Sequence, residues 1–176
     1  MTIHAMIDLE TLHTTPGATV LSVGGVKFDP LSDTEPHSEF YYKLDIDSQY
    51  RQVSDATINW WSQQDPKAQE EAFSEEGRIA MDTFIDTLPK WMNGVDVLWG
   101  HGYGFDITIL EDMLRQCSKP IPWQFWQVRD SRTLFACCKV DPRKVIGQSD
   151  LHNALADAYF QAKGVQMAYK ELGITQ

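Results

Sequence analysis

Ile7-Asp8-Leu9-Glu10-Thr11 ends an apolar run that starts at Ile3 and is interrupted only by His4. Such a run reads as a buried β-strand. Asp8 and Glu10 are two residues apart, so on a strand both carboxylates stand on one face. Like charges held that close resist ionising, and burial adds to the cost. A divalent cation removes the cost, because carboxylate oxygens are the ligands that magnesium and manganese take. The plain alternative is a strand end whose acids point into water.

The rest of the chain supplies a setting for that strand. After the first strand (3–8) and a turn at Thr15-Pro16-Gly17, a second strand is expected over 18–28 and a third over 39–44. Short connections make these an antiparallel meander. A short helix capped by Ser54 or Asp55 carries Trp60 and Trp61 and is interrupted at Pro66. A longer helix is expected over 77–92, with Pro89 late in it, then a fourth strand over 95–99 and a helix over 106–115. A fifth strand is expected over 125–128, a helix capped by Asp130 over 131–138, a loop through Asp141-Pro142 and Gly147, and a closing helix over 151–172 capped by Ser149 or Asp150. The order implies one α/β domain across 1–176, with a mixed five-stranded sheet flanked by helices.

The chain has 176 residues and a net charge of −10, which argues against broad nonspecific binding to nucleic acid or membranes. A bound cation can still reverse the sign locally. The charge is uneven: residues 113–149 carry +5 and the remainder −15. That basic segment fits either a phosphate-following surface or a solvated face. Three cysteines, two of them adjacent and none in Cys-x-x-Cys spacing, read as reduced thiols of a cytosolic protein, with Cys137 and Cys138 as small buried apolars. No apolar stretch is long enough to span a bilayer.

Two further groupings carry chemistry. Trp99-Gly100-His101-Gly102-Tyr103-Gly104-Phe105-Asp106 is a strand end, a glycine-rich turn and a helix start. Asp106 is a metal-ligand candidate there, or a simple helix cap. In His152-Asn153-Ala154-Leu155-Ala156-Asp157 the two end residues would sit about 140° apart on one helix. They converge only if His152 lies on the loop and Asp157 on the helix body. A zinc hydrolase using His101, His152 and a cysteine is disfavoured, because the spacing matches no zinc motif.

Together these residues resemble the DEDDh 3′-to-5′ exonucleases of the RNase H-like superfamily, a group that includes the polymerase III proofreading subunit, RNase T and oligoribonuclease. Ile58-Asn59-Trp60-Trp61 and Trp99-Gly-His-Gly are most similar to small single-domain bacterial and phage members. The resemblance implies that Asp8, Glu10, Asp106 and Asp157 hold two divalent cations, Mg²⁺ or Mn²⁺, and that His152 is the general base. One ion activates water, the other stabilises the leaving 3′-oxygen, and nucleoside 5′-monophosphates are released from single-stranded DNA or RNA. Leu9, Thr11 and Leu12 become candidates to hold the 3′-terminal nucleotide, and Arg143 and Lys144 candidates for phosphates. Of the two tryptophans, one belongs to the core and the other, taken as Trp61, could stack on a base. The family often carries Asn before Phe-Asp, where this chain has His101 and Gly102. The departure touches substrate grip and not metal binding. A catalytically silent RNase H-like binding module is the alternative. A bacterial or phage-infected cytoplasm is the expected location, and a homodimer is one option for assembly.

Overall fold

The β-branched and small apolar residues of the first third form the centre of a mixed sheet. A computed structural model describes residues 2–102, 104–147 and 152–175. Strands β1 (His4–Thr11), β2 (Val20–Phe28) and β3 (His37–Leu44) make the antiparallel meander expected from the sequence. β4 (Arg78–Ile79) pairs parallel with β3, while β5 (Val97–Gly100) and β6 (Val128–Asp130) continue parallel on the other side of β1, giving the order β4-β3-β2-β1-β5-β6. Among the described residues the sheet has six strands, not five. The extra strand has two residues, too few to show any alternation.

The helices are α1 (Asp55–Trp61), α2 (Pro66–Phe73), α3 (Met81–Trp91), α4 (Asp106–Gln116), α5 (Ser131–Ala136), α6 (Pro142–Ile146) and α7 (Ala154–Leu172). Four expectations need correction. The helix expected over 77–92 starts only at Met81, because Arg78–Ile79 form β4. Pro66 opens a helix: it sits at the first position, where its missing N–H costs nothing, and Asp65 accepts from Lys67 N at 2.8 Å. Pro142 does the same for α6, where a loop was expected, with Asp141 as cap. The apolar stretch read as the fifth strand begins with a 3₁₀ turn, Phe125–Gln127, and the strand starts only at Val128. Asp130 does cap α5, accepting from Arg132 N at 3.1 Å. α7 is capped by Asn153, and the residues expected to cap it, Ser149 and Asp150, lie outside the described residues.

Alternation along β1 divides its side chains between two layers. Ala5, Ile7 and Leu9 face α3 and α4, where Phe84, Ile85, Leu88, Ile107 and Leu110 are buried. Met6 faces α7, whose Ala158, Ala162, Val165 and Ala168 form a flat stripe. Asp8 and Glu10 share the parity of Met6 and therefore stand on the α7 side. Small residues let the helix lie close. A Cβ on Gly24, directly across from Asp8, would come within 2.2 Å of Leu155 N. That contact seats the start of α7 beside the two acids.

Candidate active site

Three elements bring four carboxylates to one end of the sheet. β1 contributes Asp8 and Glu10. Asp106 is the first residue of α4, reached from β5 by the glycine turn, in which Gly102 has φ +113° and so requires glycine. Asp106 Oδ1 accepts from Leu9 N and Oδ2 from His101 N, both at 3.2 Å, so the carboxylate bridges the ends of two parallel strands. Asp157 lies in the first turn of α7. One turn later Gln161 Nε2 donates to Asp8 Oδ1 at 2.8 Å. His152 precedes the Asn153 cap, off the helix, with φ +46°. That left-handed backbone, costly for a side chain larger than glycine, turns the ring inward. Ligand atoms of Glu10, His152 and Asp157 lie within 4.8 Å of one another.

The electrostatics are those of a cluster short of positive charge. Burial first, then the charges of Asp106 and Asp157, hold the Asp8 carboxyl well above its usual range, with the Gln161 bond opposing. Glu10 is raised by burial and then by Asp8, Asp157 and Asp106. Asp106, 2% exposed, is pushed up to about 7 by burial, although the Leu9 and His101 amides pull it down. Burial lowers the His152 pKa, which keeps the ring neutral near pH 7. Four crowded carboxylates with oxygen donors converging from separate elements fit a hard divalent cation.

The acids floor a cleft of about 880 Å³. Of the residues expected from sequence, Asp8, Leu9, Glu10, Thr11, Trp61, Asp106, Arg143, His152 and Asp157 line it. Leu12 and Lys144 do not: Leu12 is buried beside Leu21, and Lys144 is exposed on α6. Trp61 also needs correction as the stacking residue. It is 1% exposed, and its Nε1 donates to Thr11 O at 2.9 Å, which makes it a wall of the core. Trp60 is the tryptophan with an open face, 43% exposed, its ring 5.0 Å from that of His152. Neither Cys137 nor Cys138 is buried as expected: Cys137 is exposed and Cys138 half-buried.

The sequence reading missed several cleft residues. Gln161 orients Asp8, and Arg132 lines the cleft and donates to His101 O at 3.3 Å. Gln161 had a findable signal, since it lies one helical turn after Asp157 on the same face. Arg132 had none beyond its charge.

Residues 3–169 match the family model described as the 3′-5′ exoribonuclease Rv2179c-like domain. The chain belongs to that family. An exodeoxyribonuclease of Enterobacteria phage T4 is 26% identical over 155 residues, 73% of this chain and 68% of its own length. In fold the chain is similar to exonuclease I, with a TM-score of 0.73 at 13% identity over 98% of the chain. It spans only 42% of that protein. The Mg²⁺- and Mn²⁺-bound Pop2p of S. pombe gives 0.64 at 12% identity, covering 95% of this chain and 82% of that one. The nuclease domain of 3′hExo, a DEDDh family member bound to rAMP, gives 0.60 at 13% identity over 96% and 92%. The chain therefore has the RNase H-like fold of the DEDDh exonucleases and is a nuclease by family.

Proposed function

We propose that this nuclease removes nucleotides one at a time from the 3′ end of single-stranded DNA or RNA, using two divalent cations, and releases nucleoside 5′-monophosphates. The observation that carries the reading is the convergence of Asp8, Glu10, Asp106 and Asp157 in one cleft with His152 at its edge. Loss of any of the five would favour a silent binding module, and all five are present. Mg²⁺ and Mn²⁺ in Pop2p support the choice of metal.

The four carboxylates would hold the cations, and Gln161 keeps Asp8 turned toward them. Bound, the metals supply positive charge for the phosphate oxygens and lower the pKa of the attacking water. His152 takes that water's proton on a ring nitrogen. Burial holds its ring toward the neutral form, which leaves it free to do so. Trp60 offers its open face to the terminal base, and Arg132 and Arg143 present positive charge to the backbone along an otherwise acidic protein.

The test is digestion of matched DNA and RNA single strands labelled at the 5′ end, in Mg²⁺, Mn²⁺ or EDTA, with Asp8→Asn as control. A metal-dependent ladder shortening from the 3′ end is expected, and the faster substrate identifies the preferred sugar. Absence of cleavage on both strands would favour the silent module.

A further inference from the structure

The metal-centred reading gives the side chain of His101, which lines the cleft, no task. His101 sits just past the end of β5. Ser131 Oγ donates to Gly100 O at 3.1 Å. The hydroxyl proton is thereby committed, so at the 2.9 Å contact with His101 Nδ1 the serine oxygen accepts and Nδ1 carries the hydrogen. Nε2 is then a lone pair, and it faces Arg143 Nη1 at 3.4 Å. Asp141 grips the other side of the same guanidinium, with Nε 3.0 Å from each carboxylate oxygen and Nη2 2.6 Å from Oδ2. The head of Arg143 is clamped from two directions at the wall of the cleft that holds the acids.

We propose that His101 is a positioning residue that holds Arg143 over the cleft, where the guanidinium takes a phosphate of the bound strand. Arginine carries five N–H donors, and the contacts above engage three. One on each terminal nitrogen is left by these contacts, and such a pair suits a phosphate. A neutral acceptor is the right partner for this task. Asp141 already balances one charge. A neutral acceptor fixes the guanidinium without adding a second negative charge, which would turn the group net negative toward a phosphate, and without the repulsion an imidazolium would bring. Clamping beforehand also removes the loss of side-chain freedom that a mobile arginine would incur on binding.

The inference rests on the nuclease reading and is tested by binding. Anisotropy of a labelled single strand of a dozen nucleotides would be followed in Ca²⁺ across a salt series, on the full chain. Arg143→Ala, at a partly exposed site, is expected to weaken binding roughly tenfold, the scale of one charged hydrogen bond. It should also lower the slope of log affinity against log salt by about 0.7, one phosphate contact. His101→Phe should reproduce both changes, the double variant should lose no more than either single one, and His101→Gln, which keeps an acceptor, should recover most of the affinity. A His101→Phe protein that loses melting temperature or turnover but keeps the wild-type salt slope would show a merely structural role and overturn the proposal. So would an Arg143→Ala protein with wild-type slope. Wild-type protein that neither binds nor cleaves would instead bring down the nuclease reading, and the proposal with it.

Discussion

Replacing Asp106 by Asn should stabilise the metal-free protein. Asp106 is 2% exposed, and its pKa stands near 7 against an ordinary 3.8. Its folded-state pKa is raised, so the folded chain binds its proton more tightly than the unfolded chain. Below about pH 4 both states are protonated and the group contributes nothing. From pH 4 to 7 the unfolded chain sheds its proton first, so stability falls as pH rises, and above pH 7 the full penalty applies. A shift of about 3 units corresponds to about 4 kcal/mol. Asn keeps one oxygen for Leu9 N but turns an NH₂ toward His101 N, at a cost of about 1–2 kcal/mol. The net gain is about 2–3 kcal/mol, or about 5–10 °C in Tm for a chain of this length. Calorimetry in EDTA should show wild-type Tm falling between pH 5 and 8 and the variant's falling less, with the two curves crossing. Mg²⁺ should raise the Tm of the wild type and do little for the variant. A variant less stable than wild type at pH 8 in EDTA, with an unchanged pH profile, would refute the crowded-carboxylate reasoning.

His152→Ala should lower kcat by roughly 10²–10⁴, the usual worth of a general base, while Mn²⁺ affinity by titration stays close to wild type. Equal losses in both would make His152 a metal ligand, a role its closeness to Glu10 and Asp157 would permit. Trp60→Ala should raise KM by roughly 5- to 150-fold, the worth of one base stack of about 1–3 kcal/mol, at unchanged Tm. Trp61→Ala should instead cost about 3–5 kcal/mol of stability, measured by denaturant unfolding. Gly24→Ala places a methyl 2.2 Å from Leu155 N. It should cost at least about 1–3 kcal/mol by the same measurement and reduce kcat, because the start of α7, with His152 and Asp157, must move.

The carboxylates were legible in the sequence because each sits at a patterned place. Asp8 and Glu10 show the period of a strand, Asp106 follows a glycine turn, and Asp157 lies beyond a histidine at a spacing that forces one of them off the helix. What stayed hidden depends on tertiary contacts. The choice between Trp60 and Trp61 turns on which ring reaches Thr11 O, and helical spacing gives neither an advantage. The clamp on Arg143 joins residues from the turn after β5, the start of α5 and the start of α6, separated by up to 42 positions. β4 is two residues long and exists because β3 offers it an edge. The starts of α2 and α6 were obscured by reading Pro66 and Pro142 as breaks, although a proline after Asp marks a helix start as readily.

The most direct measurement is release of a labelled 3′-terminal nucleotide by wild type and by Asp106→Asn, each checked for a preserved melting transition. Wild type should release nucleoside 5′-monophosphate in Mg²⁺ and none in EDTA, and the variant should release none in either. Release that persists in EDTA, or that the variant matches, would contradict a reaction run by these four carboxylates and their metals.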